Sequence, residues 1–214
     1  MLTVGNDSKL YGFDIETLGT KPGCVIVSAA FLVFDFNETK TFDEYVNDAL
    51  YIKFSVKQQK DEGRKIDPDT LAWWKRQDDV VRKELMPSAK DVSIEEGSKQ
   101  ILEYLSERGV NKGSEKRTYR FCRGQDFDIP ILDDAMGTVG LKLPGAFWNS
   151  RDIRSFISGA LMDLTATTLY KDDREYKTIP GFRMHDARHD IAKAVIEMQN
   201  CVKLAMGQME ITDL

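Results

Sequence analysis

The chain reads as an α/β protein built on a mixed β-sheet, and three observations point there. Residues 9–46 hold three apolar runs separated by short turns bearing Gly, Pro or Asn, the pattern of an antiparallel meander. Beyond residue 67, helical and strand-like stretches alternate, as they do where helices flank a sheet. A last stretch sets Ile191, Val195, Met198, Val202 and Ala205 at steps of three and four, so it is an amphipathic helix.

Taken in order, Lys9 to Glu16 is the first strand and Gly19 to Gly23 its turn. Cys24 to Phe36, rich in Val, Ile and Phe, is the second. A polar turn, Asn37 to Lys40, leads to a third strand at Thr41 to Val46. Ser55 to Lys65 is a polar connector. Asp67 is placed to cap a helix with Pro68 in its first position, running through Leu71, Trp73, Trp74 and Lys75. Helical neighbours cannot both face inward, so one tryptophan is expected in the core and the other near the surface. Asp79 to Met86 is a short helix stopped by Pro87. Ser93-x-x-Glu96 forms a capping box before a helix carrying Ile94, Ile101, Leu102 and Leu105.

Gly109 to Arg120 is a basic, Gly- and Ser-bearing loop, and Tyr119 to Arg123 a short strand. Asp126 is expected to cap the next helix, where Pro130 is tolerated in the first turn and Ile131, Leu132, Ala135 and Met136 continue. Phe147 to Ser150 begins another strand, Asp152 to Leu161 is helical, and Asp163 to Gly181 is loop with some helix.

At 214 residues, the chain fits one domain over 1–214. A net charge of −5 argues against a broad basic face that wraps long duplex. It leaves room for an enzyme gripping a few nucleotides, because a metal centre supplies positive charge of its own. Cys24, Cys122 and Cys201 are scattered, which argues against a disulfide framework or a zinc site and fits a reducing cytoplasm. The run Cys24 to Phe34 is too short to span a bilayer, and the first residues lack a signal pattern, so no membrane partner is expected. Without a Walker loop, NTP-driven chemistry is disfavoured.

Three places carry chemistry. Asp14 and Glu16 alternate with Phe13 and Ile15, so both acids leave the same face of a strand, where a divalent cation would relieve their repulsion. The plain alternative is a strand end whose acids face water. Asp126 and Asp128 stand where a strand passes into a helix; Asp126 is the better cap, which leaves Asp128 for the sheet, though both could be ordinary helix-start acids. His185 and His189, the only histidines, precede Asp190 at the start of the last helix. Arg151-Asp152-Ile153-Arg154 could contact phosphate or form a surface ion pair, and the ion pair is favoured.

Asp14-Ile15-Glu16-Thr17, Gly124-x-x-Phe127-Asp128 and His185-x-x-x-x-Asp190 resemble, in order, the three motifs of the DEDDh exonucleases, which have the ribonuclease H-like fold. Leu71-Ala72-Trp73-Trp74, Gly124 to Leu132 and Arg151 to Arg154 are similar to a branch holding exonuclease A of T-even phages and related bacterial exoribonucleases. The basic loop Lys112 to Arg120 and the stretch Asp163 to Lys177 have no counterpart in those motifs. The resemblance implies two Mg²⁺ or Mn²⁺ ions held by Asp14, Glu16, Asp128 and Asp190, with Asp14 bridging. It implies His185 as general base; His189 is its rival, turned away from Asp190 inside the helix. Thr17, Leu18 and Phe127 resemble contacts to the terminal nucleotides, with core packing the alternative for Leu18 and Phe127.

The implied activity is 3′-5′ hydrolysis of single-stranded DNA or short oligonucleotides to 5′-mononucleotides. The alternatives are an exoribonuclease or oligoribonuclease, and a silent nucleic-acid-binding module of the same fold. The implied partner is a single-stranded 3′ end, in the cytoplasm or, for a phage protein, the host's; the related exoribonucleases allow a homodimer.

Overall fold

The computed structural model describes residues 8–84, 86–111, 115–169 and 179–210. The strands are β1 (Lys9–Thr17), β2 (Ile26–Phe34), β3 (Leu50–Lys53), β4 (Thr118–Cys122) and β5 (Ser150–Asp152). The helices are α1 (Phe42–Asp48), α2 (Val56–Asp61), α3 (Pro68–Trp74), α4 (Asp79–Glu84), α5 (Ile94–Glu107), α6 (Gln125–Thr138), α7 (Ile153–Leu161) and α8 (Ala187–Ala205). One sheet runs in the order β3-β2-β1-β4-β5. β2 lies between β1 and β3 and runs antiparallel to both, while β4 and β5 lie parallel to β1. The sheet is therefore mixed, as expected.

Alternation along β1 decides what each face holds. Tyr11, Phe13 and Ile15 point into a core with Ile101, Leu105, Ile131 and Leu132 of α5 and α6. Leu10, with Leu32 and Phe34 of β2, packs against Ile157, Ile191, Val195 and Met198 of α7 and α8. A smaller cluster, Leu18, Val25, Val27 and Trp74, presses α3 against the ends of β1 and β2.

Four expectations are corrected. Thr41 to Val46 is not the third strand: Thr41 caps α1 through a full capping box with Glu44, whose carboxylate takes the Thr41 N–H at 2.7 Å. Phe42, Tyr45 and Val46 fall at helical spacing on a buried side, and that outweighs their β propensity. The meander survives, but β3 follows α1 and the link is no short turn. Within the polar connector, Ser55 caps α2, which buries Gln59; its amide pairs with both backbone groups of Ile26. Phe147–Asn149 is a 3-10 turn, so β5 starts at Ser150.

Asp126 does not cap α6. The cap is Gly124 at φ +104°, and its N–H and that of Gln125 are taken by Asp152 Oδ2 at 2.8 and 3.2 Å. The other oxygen of Asp152 caps α7 through the Ser155 N–H. One carboxylate thus holds two helix starts.

The Asp67 cap with Pro68, the short α4 and the long last helix stand as read, and all three cysteines are buried and free. Ser93 accepts the Glu96 N–H, while the Glu96 carboxylate takes Gln100. Much of Asp163 to Gly181 and the centre of the basic loop lie outside the described residues. No helix among the described residues is long and apolar enough to cross a membrane.

Close approach of α5 to β3 needs Gly97. A Cβ there would meet Phe54 Cε1 at 2.4 Å and Ile52 Cγ2 at 2.9 Å, both in the core. Gly97→Ala is expected to destabilise by about 1–3 kcal/mol despite its better helix propensity. Urea unfolding checks this, and a variant more stable than wild type would refute the packing account.

Candidate active site

A cleft of about 330 Å³ opens where β1 and β4 end and where α6 and α8 begin. Asp14, Glu16, Asp128, His185 and Asp190 all line it. β1 contributes the first two, because alternation sends them to the face opposite Phe13 and Ile15. Asp128 stands in the first turn of α6 and Asp190 in the first turn of α8, where helix dipoles favour negative charge.

His185 sits just before α8 with φ +65°, a left-handed conformation unusual for a side-chain-bearing residue. The turn aims its N–H at Asp190 Oδ2, 2.8 Å away, and brings its Nδ1 to 3.9 Å from Glu16 Oε1. Ligand atoms of Glu16, His185 and Asp190 lie within 4.8 Å of one another. His189 is elsewhere: buried, its Nδ1 accepting the Arg183 N–H at 3.1 Å, its Nε2 beside the Arg183 guanidinium and Asp186, and its ring packed on Phe42.

Crowding shifts every acid of the cleft toward its neutral form. Burial raises Asp14 and Glu16 well above the usual carboxylate range, and the neighbouring carboxylates push further. Burial chiefly raises Asp128 and Asp190 to about 7. Asp128 Oδ2 is buried and, among the described residues, accepts no hydrogen bond. A lone buried carboxylate oxygen among like charges is the environment that a cation completes, and an all-oxygen donor set suits a hard divalent ion. The residues present therefore fit a divalent metal.

The expected nucleotide contacts divide. Phe127 lines this cleft and also an adjoining cavity of about 460 Å³ bordered by Glu16, Thr17, Trp73 and Arg76. Thr17 is buried there, its hydroxyl donating to Gly19 O at 2.6 Å. Leu18 reaches neither space: it packs with Val25, Val27 and Trp74 in the core, since the strand's alternation turns it away from Thr17. Of the tryptophan pair, Trp74 is buried and donates to Thr17 O, while Trp73 is partly exposed and meets the His185 ring edge-on at 4.8 Å.

Three cations border the cleft: Arg154, from the stretch read as a phosphate contact or an ion pair, and Arg123 and Lys193, which sequence reasoning did not single out. Glu197, fully buried on α8, accepts from Arg123, from the Thr168 hydroxyl and from the Leu169 N–H at 3.1 Å; Lys193 Nζ lies 3.6 Å from it. Lys193 and Glu197 follow Asp190 at steps of three and four, which was the available signal. Among the described residues, the favoured surface ion pair in Arg151 to Arg154 is not formed. Asp152 is occupied by backbone N–H groups, Arg154 donates to Arg123 O, and Arg151 lies over the Tyr119 ring.

Raised carboxyl pKa values have a stability consequence. Unfolded, Asp128 titrates near 3.8; folded, near 7, so between those values the folded state holds the extra proton. Stability of the metal-free protein from this group is present below about 4 and falls as pH rises toward 7. Asp128→Asn removes that loss, so in chelator the variant is expected to melt above wild type at pH 8, with the gap closing toward pH 4. Mg²⁺ is expected to raise the melting temperature of wild type only. Parallel melting curves for the two proteins across this range would refute the electrostatic account.

Comparison with known proteins agrees with this geometry. Residues 10–199 match the family described as the 3′-5′ exoribonuclease Rv2179c-like domain. An exodeoxyribonuclease of Enterobacteria phage T4 is 34% identical over 211 residues, 91% of this chain and 89% of that protein. Among solved structures, the nuclease domain of 3′hExo, a DEDDh family member bound to rAMP, superposes with a TM-score of 0.58 at 10% identity over 95% of each chain. Cell-death related nuclease 4 gives 0.61 at 14% identity, over 92% of this chain and only 64% of that one. S. pombe Pop2p in its Mg²⁺- and Mn²⁺-bound form gives 0.57 at 11% identity, over 94% and 85%. At those identities the structures speak for the fold, which is ribonuclease H-like. The family match and the phage relative carry more: the chain belongs to the Rv2179c-like 3′-5′ exoribonuclease family and is a 3′-5′ exonuclease of the DEDDh type.

Proposed function

We propose that this exonuclease, acting as one catalytic domain, hydrolyses the terminal phosphodiester of single-stranded DNA or short oligonucleotides and releases 5′-mononucleotides. Asp14, Glu16, Asp128 and Asp190 hold its divalent metals, Mg²⁺ or Mn²⁺, and His185 is the general base. One observation carries the reading: four acids and one histidine from distant segments converge on a single cleft in which a buried carboxylate oxygen has no hydrogen-bond partner among the described residues. When bound, two divalent ions neutralise the carboxylates, acidify a water and stabilise charge on the leaving oxygen.

The chain's own residues then do the following. The acids from β1, α6 and α8 fix the cation positions against the sheet. His185, whose pKa burial lowers from 6.5, is neutral at pH 7 and can accept a proton from the attacking water. Its orientation is set by the backbone bond to Asp190 and by the edge contacts with Trp73 and Trp74. Phe127 and Trp73 offer apolar walls for bases, whose faces stack without regard to sequence. RNA is the second reading, favoured because the matching family is described by exoribonuclease activity.

End-labelled single-stranded DNA and matched RNA, with Mg²⁺ or Mn²⁺, test this directly. Stepwise shortening from the 3′ end is expected, lost in chelator and in Asp14→Ala, and lowered roughly 10²–10⁴-fold in His185→Ala. The polymer shortened faster names the substrate. A folded, metal-replete protein that shortens neither would leave a binding module as the better reading. For wild type at saturating Mg²⁺, where the metal keeps the carboxylates deprotonated, kcat/KM is expected to fall on the acid side only below pH 6.5, as His185 takes up a proton. An acid limb unchanged in His185→Ala would assign that limb to another group.

A further inference from the structure

Away from the cleft, β4 and β5 end the sheet with a surface that the chemistry above leaves unused. Phe147 and Trp148 are 79% and 58% exposed, and their rings meet edge-on at 4.9 Å. Two large aromatics that expose this much area side by side are unusual on a soluble surface. Arg151 is tied to them, its guanidinium donating to Trp148 O at 2.8 Å while lying over the Tyr119 ring.

The charge around the pair is predominantly positive. Between Asp134 and Asp152 the chain has no acidic residue, although 35 of its 214 residues are acidic; it has Lys142 and Arg151 instead. Lys116 and Arg117 lie alongside, because Asn149 donates to Lys116 O and Gly145 packs against Thr118. All four cations are exposed. A chain of net charge −5 has thus set four exposed cations and two exposed aromatics along one sheet edge, with Glu115 preceding Lys116 in sequence and Asp152, occupied by backbone N–H groups, closing β5.

That edge is continuous with the cleft. β5 runs parallel to β4 and pairs Asp152 with Cys122, one residue before Arg123, which lines the cleft. Arg154, three residues beyond Arg151, lines it too. At about 2 Å per residue in the 3-10 turn and about 3.3 Å per residue in β5, Trp148 stands only on the order of 10 Å along the chain from Asp152 at the rim.

We propose that Phe147 and Trp148, with Arg151, Lys116, Arg117 and Lys142, form an accessory platform for single-stranded nucleic acid, holding the nucleotides upstream of the 3′ end in the cleft. Exposed rings stack on bases of any sequence, and the cations follow the backbone. The assignment rests on the single-strand hydrolysis proposed above. It adds that substrates long enough to reach the edge bind better than dinucleotides.

The test compares wild type with the Phe147→Ala/Trp148→Ala double variant and with Arg151→Ala. Binding of a fluorescent twelve-nucleotide oligothymidylate is read by anisotropy in chelator, where the metal-free acidic cleft repels phosphate and the edge supplies the affinity. Turnover of a dinucleotide is read separately with Mg²⁺. The double variant is expected to bind the long strand roughly tenfold more weakly, with dinucleotide turnover and melting temperature unchanged. Arg151→Ala is expected to reduce the salt dependence of binding by about one phosphate contact.

Equal affinity in wild type and double variant overturns the platform, as does a wild type that does not bind the strand. So does a wild-type dimer that becomes monomeric in the double variant with strand affinity unchanged, which would make this edge a contact between copies. A wild type that binds the strand but leaves the dinucleotide and longer strands intact would sink the hydrolytic reading alone, while the affinities still judge the platform.

Discussion

Mutual repulsion among four carboxylates in one partly buried cleft is the constraint on which the rest of this molecule depends. In water such a cluster would spread apart. Here two acids are locked on one strand face, and two more are held at helix starts whose dipoles favour their charge. The folded chain answers with protons at neutral pH, and its unpartnered Asp128 oxygen marks where a cation would do better. Affinity for divalent metal and the tension in the metal-free fold are then two aspects of the same electrostatics.

Several structural choices follow from holding that cluster still. Asp152 caps both α6 and α7 and so ties the Asp128 helix to the sheet edge. Glu197 gathers Arg123, Lys193 and the 168–169 segment, setting two cations beside the acids. Burial of that carboxylate is tolerated because several charged or N–H donors surround it. Trp74 reaches Thr17 O from α3 and, with Trp73, packs the edge of His185. The histidine's strained backbone is thereby braced from the side chain as well as by Asp190.

Charge is distributed along the same logic. Although the chain is net negative, Arg123, Arg154 and Lys193 border the cleft, and Lys116, Arg117, Lys142 and Arg151 are exposed along the sheet edge beyond. A small number of well-placed cations can steer a polyanion without a basic protein overall.

Much of this was legible in the sequence because the signals are local. Strand alternation put Asp14 and Glu16 on one face, Asp67-Pro68 marked a helix start, and the spacing of Ile191 to Val202 defined the last helix. Together with the order of the acidic motifs they gave fold class and family. Local signals also misled where two competed: Thr41 to Val46 has β-formers and a capping box, and the box prevailed because the helical face found a core. What only the tertiary structure decided is what distant residues do for one another. Asp152, not Asp126, satisfies the start of α6; Leu18 goes to the core; Arg123 meets Glu197 seventy-four residues away. Periodicity and capping act over a few residues and can be read from the chain, whereas the partner of a buried charge is chosen by whichever segments packing brings together.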